Sequence, residues 1–387
     1  MVRVCQCKCG KAARNYYTRG DYYRDRQELA GHWGGSACGL LGLPEGEEVS
    51  KRPFDLLTGN RHPLTGETLT VRQKDKRTSG YDINFHCPKS ISLLYAMTSD
   101  PDILAAFRWA VGHTLHSMEA RMKTRVRTGG QCFDRLVGNM AWATFVHLTA
   151  RPILGMPDPH LHAHAFCFNA VFDPVEERWK AGQFREIKQE APRFQALFRS
   201  LFAARLSGVG YDVQWKGDDF EIAGFSPALL RKFSRRTQLI ESEAVRLGIF
   251  SDKLKDSLGV KTREKKQSDA TMPELRQGWY QRMTDGERLE VARAELHKRR
   301  PWPADFKRMQ ASRADGQAVG IERQPLLHDR VMQRQRLAVY DRARTAAPVR
   351  PAPPPKRYAV TAPQRPVNPA RPLPAHLASQ RSGDYGR

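Results

Sequence analysis

The sequence predicts an α+β fold, an antiparallel sheet backed by helices, and two apolar periodicities carry that prediction. Apolar residues alternate with others over Leu136 to His147 and over Leu161 to Phe172, the two-residue period of strands. Helical spacing runs through Ile103, Leu104, Phe107, Val111, Leu115, Met118 and Met122, and again through Phe194, Leu197, Phe198, Leu201 and Phe202. A third observation places a hairpin, because Tyr211 to Trp215 and Phe220 to Phe225 flank the turn-forming Lys216, Gly217, Asp218 and Asp219.

Taken in order, the chain begins with Cys5, Cys7 and Cys9, whose alternate spacing puts them on one face of a short strand. Their single-residue gaps and the lack of a fourth ligand argue for a half-buried strand rather than zinc. The seven cysteines (those three with Cys38, Cys87, Cys132 and Cys167) are an odd number with no secretory leader before them, which predicts a reducing cytoplasm without a disulfide framework. Ser226 before Pro227 reads as an N-cap, with Leu229, Leu230, Phe233, Leu239 and Val245 continuing one helix. Beyond about residue 262 come charged helical stretches, Glu274 to Arg300 and Asp329 to Ala343. From Arg344 onward ten prolines, eight Arg or Lys and one acidic residue form a composition that cannot bury enough surface to fold. The expected organisation is a main domain over 1–290, a charged helical extension over 291–343 and a disordered basic tail over 344–387.

The chain has 64 Lys and Arg against 41 Asp and Glu, a formal charge of +23. So large an excess points to a polyanionic partner, nucleic acid first, because each neutralised phosphate releases counterions. No apolar run approaches the roughly 20 residues of a membrane span, so no membrane insertion is expected.

Chemistry concentrates in Asp158, Pro159, His160, Leu161, His162, Ala163 and His164, followed by apolar Ala165, Phe166, Cys167 and Phe168. On a strand His162 and His164 project from one face and can converge on one ion. The third ligand is His147, if the two strands pair, or His160, which shares the face. Three imidazoles suit a divalent ion and leave open positions for water or a phosphate oxygen. A second concentration is Asn15, Tyr16, Tyr17, Thr18, Arg19, Gly20, Asp21, Tyr22 and Tyr23, two tyrosine pairs six residues apart with Arg14, Arg24 and Arg26 nearby. A phenol with a free pKa of about 10 is a poor nucleophile, but a metal or guanidinium beside it favours phenolate and stabilises an attacked phosphate.

These tyrosine pairs, the segment Gly80-Tyr81-Asp82-Ile83-Asn84-Phe85-His86-Cys87-Pro88-Lys89-Ser90-Ile91-Ser92-Leu93-Leu94 and the Asp158 to Asn169 run together resemble MobF-type conjugative relaxases, the TraI and TrwC class, over roughly residues 10 to 285. The resemblance implies a histidine-hydrophobe-histidine endonuclease: a five-stranded antiparallel palm backed by helices, with helical fingers over the DNA. It implies metal-dependent nicking of one DNA strand at an origin of transfer, a 5′-phosphotyrosyl intermediate and later rejoining. Tyr16 takes the first nick and Tyr22 the later transfer, with Tyr17 and Tyr23 as their alternates. Asp82 orients a ligating histidine or accepts the phenol proton, and His147, His162 and His164 fall on the metal triad. The gap between His147 and His162 is lengthened by an insert near Pro152 to Pro157. Arg151 and Lys89 are expected to steady the phosphate. The implied ion is Mg2+ or Mn2+, with Zn2+ or Ni2+ as further candidates. The implied partners are single-stranded origin DNA, relaxosome accessory proteins and a type IV secretion coupling protein. No G-x-x-x-x-G-K-[ST] phosphate loop occurs in the 387 residues, so unwinding is expected from a separate helicase or from supercoiling. The competing readings are a rolling-circle replication initiator, which usually places its histidines before its tyrosine, and a non-catalytic DNA-binding accessory protein with a structural metal.

Overall fold

The computed structural model describes residues 2–7, 28–72, 77–262, 264 and 270–298. In chain order, β1 (Val2–Cys7) and β2 (Glu28–Gly34) precede α1 (Ser36–Leu40), α2 (Lys51–Thr58), β3 (Gly80–His86), α3 (Lys89–Thr98) and α4 (Pro101–Glu119). Strands β4 (Lys123–Thr128), β5 (Gln131–Leu136), β6 (Trp142–Thr149), β7 (Pro159–Phe168), β8 (Val171–Asp173) and β9 (Arg178–Lys180) follow. Then come α5 (Arg185–Gln189), α6 (Ala191–Gly208), β10 (Val213–Lys216), β11 (Asp219–Ile222), α7 (Pro227–Lys232), α8 (Arg235–Arg246), α9 (Asp252–Lys261), α10 (Met272–Gln281) and α11 (Asp285–His297).

Five strands form one sheet in the order β1-β3-β7-β6-β2, and each neighbouring pair is antiparallel. This is the α+β class and the five-stranded palm that the sequence predicts. Because side chains alternate, one sheet face presents Val2, Val4, Ile83, Phe85, Val146, Leu161, Ala163 and Ala165 to a core completed by α3, α4 and α6. The helical periodicities explain this packing: Ile103, Phe107, Val111, Leu115 and Met118 are the buried stripe of α4, and Phe194, Phe198 and Phe202 that of α6.

The opposite face is divided. At one end Trp33, Ala143, Phe145, Phe166 and Phe168 are covered by residues 37–69, with fully buried Phe54 of α2 at the centre. Its ring lies 5.4–6.5 Å from those of Trp33, Phe145, Phe166 and Phe168. At the other end of this face the strands carry histidines instead.

Several predicted boundaries move, each for a local reason. The alternation over Leu136 to His147 is not one strand, since residues 137–141 turn away between β5 and β6. Gly138 has φ +61°, Asn139 Nδ2 donates to the Val137 and Phe172 carbonyls, and Met140 N donates to buried Glu119. The run Leu161 to Phe172 likewise divides at Asn169, whose side chain donates to Thr78 O and accepts from Gly182 N. The helix from Ser226 is capped as predicted, Ser226 Oγ accepting from Leu229 N, but it breaks at Phe233 and Ser234 instead of running to Val245. Asp158 causes the restart, because its carboxylate accepts from the Arg235 backbone N–H and caps α8.

Helices α10 and α11 begin with capping boxes, Thr271 with Glu274 and Thr284 with Glu287. Despite their charge they send Leu275, Trp279, Val291 and Ala294 into the main core, joined by Met283 from the turn between them. Most of the expected extension and the whole expected tail lie outside the described residues. Cys5 is exposed and Cys7 half-buried on the face of β1 opposite Val2 and Val4, while Cys9 lies outside the described residues. Among the described residues no helix is long and apolar enough to cross a membrane.

Candidate metal centre

The alternation of β7 sets His160, His162 and His164 on the sheet face that continues into Phe166 and Phe168. Pairing decides what stands beside them: His162 is opposite His147 of β6 on one side and His86 of β3 on the other. One ligand atom from each of His147, His162 and His164 lies within 4.8 Å of the other two. Ring centroids are 5.0 Å apart for His147 and His162, 4.8 Å for His147 and His164, and 5.3 Å for His162 and His164. His147 and His162 are buried, at 6% and 9% exposure, and His164 opens towards solvent.

Hydrogen bonds orient these rings. His164 Nδ1 lies 3.0 and 3.1 Å from the Asp82 carboxylate oxygens, and His162 Nδ1 donates to the His160 carbonyl at 2.9 Å. With Nδ1 of each ring engaged as donor, the lone pair sits on Nε2, the tautomer a metal ligand requires. Three imidazoles, His162 and His164 among them so oriented, fit a divalent transition ion by donor chemistry and by their mutual approach. The Asp82 carboxylate thus stands against His164 Nδ1 on the side away from the cluster's Nε2.

His160 turns instead to His86, its Nε2 lying 3.0 Å from His86 Nδ1. Burial first, then the neighbouring His162, holds both His86 and His160 well below the usual imidazole range, so each is neutral and one ring donates to the other. His86 was overlooked on the sequence, although it shares the strand face of Asp82 and Asn84 by the same two-residue period that exposes the histidine run.

Of the two cations expected near a phosphate, Lys89 starts α3 and donates to the Pro159 carbonyl at 2.8 Å, with burial lowering the pKa of its ammonium. Arg151 stands two residues beyond β6, partly exposed, and makes no hydrogen bond or ion pair among the described residues. Asp158, 3% exposed, is structural: Arg235 and Arg282 reach it at 2.8–3.0 Å and tie the start of β7 to α7, α8 and α10. Tyr16, Tyr17, Tyr22 and Tyr23 lie outside the described residues. The chain leaves the sheet at Cys7, opposite Gly80, and returns at Glu28, opposite His147. A cavity of about 240 Å³ at the β2 edge, lined by His32, Phe107, Arg108 and Trp142, opens on the other face of the sheet, beneath Val146 and Ala163.

A family model described as TrwC relaxase matches residues 10–285. The chain belongs to the TrwC relaxase family. Among curated relatives, the multifunctional conjugation protein TraI of Escherichia coli K12 is 30% identical over 278 residues, 69% of this chain and 15% of that protein. A second Escherichia coli TraI is 29% identical over 341 residues, 82% of this chain and 18% of its own length. The chain thus spans less than a fifth of the curated relatives it matches. Among solved structures, conjugative relaxase TrwC in complex with oriT DNA superposes with a TM-score of 0.65 in a metal-bound form and 0.64 in a metal-free form. In both cases identity is 28%, and 75% of this chain covers 98% of the other. The palm and its backing helices are those of a TrwC relaxase.

Proposed function

We propose that this chain is a conjugative relaxase that nicks one DNA strand at an origin of transfer by tyrosine transesterification and later rejoins it. The observation that carries the proposal is the cluster of His147, His162 and His164 on one palm face, with Asp82 behind His164. His147, His162 and His164 would hold a divalent ion, which when bound would supply Lewis-acid charge to the scissile phosphate. Of the ions considered, the all-imidazole donor set favours Mn2+, Ni2+ or Zn2+ over Mg2+, which prefers oxygen ligands.

The Tyr16 phenol oxygen attacks phosphorus, a P–O(Tyr) bond forms, the P–O3′ bond breaks, and the 3′ oxygen leaves as a hydroxyl with a proton. The 5′ phosphate stays on the enzyme as a phosphodiester, which conserves the bond for rejoining. Tyr22 serves the later transfer, with Tyr17 and Tyr23 as the respective alternates. Asp82 holds the His164 tautomer. Since Lys89 already donates to Pro159 O, Arg151 is the cation proposed to meet the phosphate, with Lys89 holding the strand beside it.

The same reading makes 1–290 the relaxase domain, 291–343 a charged extension and 344–387 a basic arm acting in a bacterial cytoplasm. It takes accessory proteins, a separate helicase and a secretion coupling protein as partners. The test is to incubate the full chain with Mn2+ and tiled single-stranded oligonucleotides from its own element's transfer origin. A DNA-shifted band on a denaturing protein gel is expected, lost in Tyr16→Phe and His162→Ala. Cleavage without an adduct makes the protein a hydrolytic nuclease, and tight binding without cleavage makes it an accessory DNA-binding protein.

A further inference from the structure

Beside the three-histidine cluster stands a second pair of imidazoles that the nicking chemistry does not use. His86 Nδ1 and His160 Nε2 are 3.0 Å apart, and their rings lie at 5.1 Å and 19°. Both also stack on His162, His86 at 5.5 Å and 11° and His160 at 4.6 Å and 26°. The backbone of His160 accepts from His162 Nδ1 at 2.9 Å. That stretch of β7 is pinned on either side, because Lys89 Nζ donates to Pro159 O, Leu161 N donates to Ser92 Oγ, and Cys87 N donates to Leu161 O.

We infer that His86 and His160 are positioning residues for His162, a hydrogen-bonded imidazole pair whose stacked rings fix the plane of that ring, its tautomer being held by the His160 backbone carbonyl, and so set how tightly, and with what ligand field, the cluster binds a transition metal. The inference rests on the reading that His147, His162 and His164 hold the ion. The geometry calls for imidazole at both positions. A phenyl ring would keep the stacked plane but lose the bond across 3.0 Å, and an amide would keep the bond but lose part of the plane. A side chain that only filled space would need neither.

Removing an orienting partner beside a metal ligand typically costs about ten- to a hundredfold in metal affinity. The experiment titrates the full-length, metal-stripped protein with Co2+, reading Kd by calorimetry and the ligand field by visible absorption. His86→Phe and His160→Phe are each expected to bind about tenfold more weakly with a shifted visible band, and His160→Gln to recover to within about threefold of wild type with the native band. Far-UV circular dichroism of each metal-free variant reports folding, and if His86→Phe misfolds, the His160→Phe and His160→Gln pair decides. Unchanged affinity and spectrum in the folded Phe variants, or a His160→Gln no better than His160→Phe, overturns the inference. His162→Ala separates the two readings: if it still binds Co2+ as wild type, the three-histidine site itself is wrong, whereas its loss alongside intact Phe variants removes only the positioning role.

Discussion

Replacing Asp158 by alanine removes a carboxylate with 3% exposure that accepts four contacts, from Arg235 N and Nε at 3.0 Å, Arg235 Nη2 at 2.9 Å and Arg282 Nη1 at 2.8 Å. Hydrogen bonds to a charged group are each worth about 1.5–3 kcal/mol, but they act as one unit and do not add. The guanidiniums left behind keep 27% and 22% of their side-chain surface, so solvent relieves part of their repulsion. The expected loss is therefore about 3 kcal/mol, near the low end for breaking a buried ion pair. With a urea slope of about 3 kcal/mol/M for a domain of this size, the unfolding midpoint should fall by about 1 M. Asp158→Asn keeps an acceptor for the α8 N-terminus and should lose roughly half as much. Urea unfolding followed by circular dichroism checks both. A shift under about 0.3 M in the alanine variant, or equal shifts in the two, would refute the argument that charge at this junction holds β7 to α7, α8 and α10.

Phe54→Ala empties the centre of the second core, where the ring is fully buried against four aromatic neighbours, and should cost about 3–5 kcal/mol in the same unfolding assay. A loss below about 1 kcal/mol would mean that residues 37–69 do not depend on it. Burial alone would raise the pKa of Asp173, but hydrogen bonds from Arg135, Val175 N–H and Lys180 more than offset it and hold the carboxyl below its usual range. A carboxyl depressed on folding stabilises the protein above the unfolded pKa of about 4, and that contribution disappears as pH falls through the lowered value. The acid limb of thermal midpoint against pH should therefore be shallower in Asp173→Asn, and identical limbs would count against the assignment.

How much was legible in the residues depends on how local the cause is. The strand around His162 was readable because alternation is a property of neighbouring positions. The hairpin at Gly217 was equally so. Whether His147 or His160 completes the cluster was open, since strand pairing is not written in either residue; the register His147 to His162 brings one to the cluster, and His86 draws the other away. The break before α8 was illegible for the same reason, its cause at Asp158 lying 77 residues from the Arg235 it caps. Phe54 gave no signal of its importance because residues 37–69 cover the sheet with short helices and turns that have little periodicity.

The palm's strand order also bears on the time course of folding. His147, His162 and His164 all belong to β6 and β7, adjacent in sequence and paired with each other, so the whole donor set is encoded in one antiparallel hairpin. Asp82 and His86 stand on β3, about 80 residues upstream, and β1 pairs with β3 in the sheet. Closing a short loop is fast and closing a long one is slow. In a chain refolding from denaturant, the β6-β7 hairpin should thus bring the three imidazoles together before β3 pairs with β7 and sets the Asp82 carboxylate against His164. Under the proposed reading, an ion met during that interval would find the donors before their final orientation, and pairing of β3 would then tighten the chelate.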